Sequence, residues 1–411
     1  MTTTTSKTML STNVDYESLL SELGRGLRPN AIRKLTKLLG SREVISLAAG
    51  APSIDTLPLA QLSEIAARVI REQGRSALQY GPTRGQAALV EAVAGILNSR
   101  GIAGATPAEV VMTSGSQQGL DLISRVLIDR GDVVIVELPS YIGGIIALRN
   151  GGADLVGVQQ DRDGLVIGEL ESTLRRLRSD GRRVKCIYTI PNFQNPSGVT
   201  LSMERRRQLV EVAEEFDLLI IEDDAYFDLY FDEEARLTPL AALCPERVFY
   251  LGTFSKVLAP GLRTAYVCAP ERLSARIELA KEGADLSSSV LDQAIVMEAI
   301  REGLIENRLA ELRRFYEVRR VAMLEALERF APAGSGWTKP AGGFFILMHL
   351  AEGIDAGQRL ERAIANGVAY VPGESFFVDG TGQNTLRLAY SKESPEKIAD
   401  GVDRMCRVLA E

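Results

Sequence analysis

The chain has 411 residues, 45% hydrophobic and 25% charged, which is length enough for two domains and the balance of a globular protein. Its net charge of −7 is spread over interspersed acids and bases, so no basic patch invites nucleic acid, and no apolar run nears membrane-spanning length. The single histidine, His349, removes histidine triads and histidine-rich metal sites and leaves lysine as a candidate base for any proton transfer. Cys186, Cys244, Cys268 and Cys406 form no CxxC pair, which predicts reduced, buried thiols and a cytoplasmic protein.

In chain order, Met1–Thr12 is polar, rich in Thr and Ser, and without the apolar core of a signal peptide, so 1–15 is expected to be a disordered lead-in. Leucines and Ile32 at helical spacing predict a helix over Tyr16–Leu39, split at Pro29. Val44–Ser53 (VISLAAGAPS) reads as a strand running into a turn, and Leu59–Gln73 as an amphipathic helix. A loop with Tyr80 follows, then a helix over Gln86–Ser99 and a short strand over Val110–Thr113. Ser114–Leu127 (SGSQQGLDLISRVL) opens a helix with small polar residues, which suits a phosphate or an ordinary N-cap.

From Asp132 to Ala269 apolar strands alternate with helices: DVVIVE, ADLVGV, CIYTI, LLIIED, VFYLGT and AYVCA. This pattern predicts an α/β domain with a largely parallel sheet, in which ligands gather at the carboxyl ends of the strands. Helices over Ser287–Glu302 and Leu304–Phe330 follow, the second read as a link between domains. FFILMHL, VAYVPG and TLRLAYS as strands, with helices over Leu360–Asn366 and Pro395–Leu409, complete a smaller α+β domain. The expected division is 59–303 for the large domain and 304–411 for the small one with its linking helix.

Polar groups that follow strands are the candidate site. In Leu251–Arg263 (LGTFSKVLAPGLR), Lys256 sits between small hydroxyl residues after an apolar run. It reads either as a solvated surface lysine or as a Schiff-base lysine for an aldehyde cofactor, with Ser255 and Arg263 on that cofactor's phosphate. Tyr141, after DVVIVE, could stack on a flat ring or simply pack. Asn195, in PNFQNPSG, could donate to a ring hydroxyl or satisfy its own turn. Asp223 stands at the end of a buried strand, where a carboxylate is costly without a partner such as a cationic ring nitrogen, and Tyr226 could reach the neighbouring ring oxygen. Arg387, between Leu386 and Leu388, faces solvent or, if buried, needs an anion such as a substrate carboxylate.

The segments SGSQQGL, PNFQNPSG, EDDAY, TFSKVLAPGLR and RLAYS, in that order, resemble fold-type-I PLP-dependent aminotransferases of class I/II. The resemblance runs from about Arg28 to the C-terminus, and LRPNAIRKLTKLLG and LAAGAPS bring it nearest the branch of 2-aminoadipate, kynurenine and broad-specificity aminotransferases. It implies that Lys256 forms the link to pyridoxal 5′-phosphate and shuttles the proton, that Asp223 pairs with the ring nitrogen, and that Tyr226 and Asn195 bond the ring's O3′. It further implies that Tyr141 stacks on the ring, that Ser116, Gln117, Ser255 and Arg263 hold the phosphate, and that Tyr80 joins them from a second subunit of a homodimer. Arg387 with Asn195 would bind the substrate α-carboxylate beside the backbone of Gly50. Residues 16–58 would form an N-terminal segment and lid packing with the small domain, with Arg33 a candidate cation for an acidic substrate side chain.

The implied activity is ping-pong transfer of an amino group from an L-amino acid, of 2-aminoadipate, branched-chain or aromatic type, to a 2-oxo acid such as 2-oxoglutarate. Another PLP reaction on the same fold, such as a lyase or decarboxylase, uses the same lysine, aspartate and arginine. A PLP-binding regulator would carry a winged helix, for which the residues before Arg28 are too few.

Overall fold

The computed structural model describes residues 14–27 and 44–411. The lead-in expected over Met1–Thr12, the helical stretch expected from Ile32 to Leu39, and Arg33 lie outside the described residues. The start of the predicted first helix is two short ones, α1 (Tyr16–Leu19) and α2 (Glu22–Gly26). The break falls where Leu20 turns extended and the Ser21 hydroxyl accepts from the Gly24 N–H at 3.0 Å, starting a new helix.

The expected strand at Val44–Ser53 is only β1 (Ile45–Ser46). Beyond it the backbone serves side chains instead of a ladder: Arg387 donates to the Ala48 carbonyl and Ser391 to that of Ala51, both at 2.7 Å. Next come α3 (Leu59–Ala77), α4 (Ala87–Ser99), β2 (Val110–Thr113), α5 (Ser116–Leu127), β3 (Val133–Leu138), α6 (Ile142–Asn150), β4 (Asp154–Asp161), β5 (Gly164–Leu165), α7 (Ile167–Ser179) and β6 (Val184–Thr189). They continue with α8 (Met203–Glu215), β7 (Leu219–Asp223), β8 (Val248–Thr253), β9 (Ala265–Cys268), α9 (Glu271–Asp285), α10 (Val290–Arg301) and α11 (Glu306–Phe330). The remainder is β10 (Gly336–Trp337), β11 (Phe345–His349), α12 (Ala356–Ala365), β12 (Val368–Ala369), β13 (Val371–Pro372), β14 (Thr385–Ala389) and α13 (Pro395–Ala410).

The large sheet has eight strands in the order β2-β9-β8-β7-β6-β3-β4-β5. Strands β8, β7, β6, β3 and β4 run parallel, with buried apolar runs such as Val133–Val136 in β3 and Val248–Leu251 in β8. The sheet is mixed rather than uniformly parallel, because β9 runs antiparallel to both β8 and β2, and β5 to β4. The connection 254–264 that carries Lys256 is too short for a helical crossover, so the chain returns antiparallel.

The small sheet is antiparallel, β10-β11-β14-β13, with Arg387 of β14 opposite Leu347 on one side and Val371 on the other. VAYVPG is not one strand: β12 pairs with β1 and β13 with β14, so the segment switches sheets at Tyr370. There Tyr370 is buried and donates to the Ala356 carbonyl at 2.7 Å. All four cysteines are free and buried, and His349 is exposed on β11. No helix among the described residues is long and apolar enough to cross a membrane.

Candidate active site

The carboxyl ends of β2, β3, β6, β7 and β8 open on one cavity of about 380 Å³, closed from the other side by Ala49–Ala51, Phe345 and Arg387. Gly50, Ser116, Gln117, Tyr141, Asn195, Asp223, Tyr226, Ser255, Lys256, Arg263 and Arg387 all line it, so the structure brings eleven of the sequence's candidates together. Tyr80 does not line it and is 82% exposed in its own chain.

At the end of β7 three acids follow one another, and each has a different fate. The Glu222 carboxylate accepts the backbone N–H groups of Leu240 and Ala241. Asp224 accepts from Asn192 Nδ2 and the Tyr250 hydroxyl. Asp223 alone reaches the cavity, where its Oδ2 accepts from the Tyr188 hydroxyl at 2.9 Å and its buried Oδ1 has no partner among the described residues. Burial lifts the Asp223 carboxyl to about 6, opposed by the Tyr188 hydrogen bond and Lys256 and reinforced by Asp224. An unpaired buried carboxylate oxygen awaits a cationic or N–H-bearing group. Tyr188 was not singled out from sequence. A tyrosine inside a buried strand needs a partner for its hydroxyl, and that signal could have found it.

Lys256 leaves the end of β8 half-buried, with its amine 5.7 Å from the Tyr226 ring centroid and 5.8 Å from that of Phe344. Burial lowers the amine to about 8; Asp223 draws it back up, and Arg263 and Arg387 push it down. The Tyr226 hydroxyl is raised well above its ordinary range, mainly by burial.

Beside the lysine lies an anion cradle. Gly115 caps α5 without a side chain, in the left-handed region at φ 85°, and leaves the Ser116 and Gln117 N–H groups open among the described residues, while that of Gln118 donates to the Gly115 carbonyl at 3.1 Å. Any Cβ on Gly115 would collide with the Arg263 guanidinium, which stands at the helix end and makes a long 3.4 Å contact to the Ser114 carbonyl. Arg263 has no carboxylate partner among the described residues. Behind the loop, Ser114 Oγ donates to Asp285, which buried Lys281 holds at 2.6 Å. The Ser255 hydroxyl accepts from Thr253 Oγ1 at 3.0 Å, and Gln117 Nε2 donates to the Gly143 carbonyl.

At the far wall Arg387 is 1% exposed, with its guanidinium between the Phe345 and Phe376 rings. Nη1 donates to Asn195 Oδ1 at 2.9 Å, Nη2 to the Ala48 carbonyl, and buried Nε has no partner. No carboxylate pairs with it among the described residues, and burial lowers it to about 10. A Cβ on Gly50 would strike the Phe345 ring, so glycine is what lets this backbone close over the cavity.

An amine of lowered basicity, an orphaned buried carboxylate oxygen and a helix-end anion cradle at the mouth of an α/β sheet fit the amine-binding, ring-nitrogen and phosphate ends of pyridoxal phosphate. The class defined by this fold and site is thus a PLP-dependent enzyme. The family model for aminotransferase class I and II matches residues 42–405. The aromatic-amino-acid aminotransferase 1 of Thermococcus litoralis is 41% identical, over 97% of this chain and 95% of its own. The 2-aminoadipate transaminase of Thermus thermophilus is 42% identical, over 93% of this chain and 94% of its own. The crystal structure of Pyrococcus horikoshii kynurenine aminotransferase in complex with PMP superposes with a TM-score of 0.91 at 40% identity, covering 96% and 98% of the two chains. The chain belongs to the class I and II aminotransferase family and is a PLP-dependent aminotransferase.

Proposed function

We propose that the chain moves the amino group of a 2-aminoadipate-, branched-chain- or aromatic-type L-amino acid to a 2-oxo acid such as 2-oxoglutarate by a ping-pong route, with Lys256, Asp223 and Tyr226 carrying the chemistry. The observation that carries this reading is one cavity holding the lysine, the unpaired Asp223 Oδ1 and a buried arginine with no carboxylate partner. When bound, pyridoxal phosphate supplies an aldehyde for the amine and an electron sink for the charge left at the substrate Cα.

In this reading Ser116, Gln117, Ser255 and Arg263 hold the phosphate, Tyr141 covers the ring, and Asp223 Oδ1 keeps a proton on the ring nitrogen. The Tyr226 hydroxyl and Asn195 Nδ2 donate to the ring oxygen; Asn195 Oδ1 is already engaged by Arg387, which leaves the amide nitrogen for that task. Arg387 fixes the substrate α-carboxylate beside Gly50, so that the Cα proton faces Lys256. The Lys256 amine, lowered toward neutrality by burial, would take that proton as base and give it back as acid.

Substrate breadth is proposed from the aromatic walls of Tyr141, Tyr226 and Phe345 and from the substrates named for the relatives. Arg33 remains the proposed partner of an acidic side chain. A homodimer is proposed because Tyr80 is exposed in its own chain, as a residue completing a neighbour's phosphate site would be. A division at 59–303 and 304–411 and a cytoplasmic setting complete the reading.

The test is the absorbance of the PLP-loaded protein titrated with single amino acids and no acceptor. Conversion of the bound cofactor to its pyridoxamine form, with release of the matching 2-oxo acid, is the expected result and names the donor class. Bound cofactor that no amino acid converts would overturn transamination.

A further inference from the structure

Glu137 is a buried acid that none of the roles above uses. It sits in β3, 2% exposed, and no cation pairs with it among the described residues. All of its hydrogen bonds go to one neighbouring segment. Its Oε1 accepts from Thr189 Oγ1 at 2.6 Å; its Oε2 accepts from the Ile190 N–H at 3.1 Å and from Gln194 Nε2 at 3.0 Å. Gln194, 1% exposed, passes the restraint on: its Nε2 also donates to the Pro139 carbonyl at 2.7 Å, and its Oε1 accepts from the Ser197 N–H and hydroxyl at 2.8 and 2.7 Å. Its backbone closes the turn with Gly198 and Val199. Asn195 stands inside that turn and holds Arg387 Nη1 through its Oδ1.

A buried carboxylate is costly, and packing alone asks only for an apolar residue of similar size. Three donors converging on one carboxylate make a rigid fixture, and the segment they fix carries the residue that orients the substrate-binding guanidinium. We propose that Glu137 is a positioning residue for the substrate carboxylate, acting through Gln194 on Asn195 and so on the direction of Arg387. The proposal rests on the reading of Arg387 as the carboxylate site. With Asn195 displaced, only the Ala48 carbonyl would hold the guanidinium, and a shift of about 1 Å in a positioning group can cost up to about a hundredfold.

The experiment is steady-state kinetics of the PLP-loaded enzyme with donor and acceptor varied, for Glu137→Ala, Glu137→Gln, Gln194→Ala, Asn195→Ala, Arg387→Ala and the Glu137→Ala/Asn195→Ala double variant. Loss of buried hydrogen bonds should raise KM for amino acid and oxo acid together by about tenfold in Glu137→Ala and Gln194→Ala, with kcat changed by less than about threefold. Glu137→Gln should keep KM near wild type, because its amide oxygen can take the two N–H donors while its NH2 donates to Thr189 Oγ1. In the Asn195→Ala background, removing Glu137 should raise KM no further. Should Glu137→Ala fail to fold, Gln194→Ala reads the same relay. Unchanged KM in the folded variants, a Gln variant as impaired as the Ala one, or additive effects in the double variant would each overturn the proposal. An unchanged KM in Arg387→Ala would instead overturn the carboxylate site itself.

Discussion

Arg263 and Arg387 face the same cavity, and neither has a carboxylate partner among the described residues, yet their settings are opposite. Arg263 is exposed, at a helix end where Ser116, Gln117 and Ser255 line the same cavity. Arg387 is 1% exposed, held between two phenyl rings by one amide oxygen and one carbonyl. An exposed cation shares its work with the helix dipole and solvent, and each contribution is small. A buried cation has already lost its water, so the arrival of a carboxylate has a large effect and its absence leaves a standing cost. The first corner suits a group that stays bound; the second suits one that must enter and leave while being told apart from uncharged amines.

The largest expected effect leaves both corners intact. Lys256→Ala removes the only amine that the described residues bring to the cavity lining and should lower turnover by about a thousandfold or more, while phosphate analysis still finds the cofactor retained. Near-normal turnover would end the assignment of the base. Next in size, Arg387→Ala should raise KM for amino and oxo acids by about a hundredfold with cofactor affinity unchanged, as truncation of a buried charged partner does. Equal losses in KM and in cofactor affinity would mean the corners are not separate. Arg263→Ala should do the reverse, weakening cofactor binding by about tenfold in equilibrium dialysis and leaving KM alone at saturating cofactor. Gly115→Ala should follow it, since a Cβ there meets the Arg263 guanidinium and the φ of 85° is strained for alanine.

How much of this could be read beforehand depends on what kind of information each feature carries. Strands β2 and β8 lie at their predicted bounds because an apolar run between turn residues marks its own ends. The reversed direction of β9 is written in the short connection 254–264 and not in the strand itself, since an apolar strand reads alike either way. Asp223 could be singled out among three consecutive acids, but the partners that occupy Glu222 and Asp224 come from Asn192, Leu240, Ala241 and Tyr250, distant in sequence. Arg387 was legible through its apolar neighbours, whereas the need for glycine at 115 shows only in the fold, where the Arg263 guanidinium lies against it. The split of VAYVPG between two sheets is a tertiary choice that local pattern does not encode.

The smallest effect tests whether the two corners speak to each other through the lysine. Burial lowers the Lys256 amine to about 8, Asp223 acts to raise it, and Arg263 and Arg387 lower it further. Only the neutral amine can attack an aldehyde, so in cofactor-free protein the rate at which Lys256 captures pyridoxal phosphate should rise with pH and level off above about 8. Removing a cation that disfavours the protonated amine should let it hold its proton to higher pH. Arg387→Ala should therefore move the midpoint upward and Asp223→Asn should move it downward, followed by stopped-flow absorbance. A midpoint that stays fixed in both variants would show that burial alone sets the amine. The carboxylate corner would then serve substrate binding only, with no share in tuning the base.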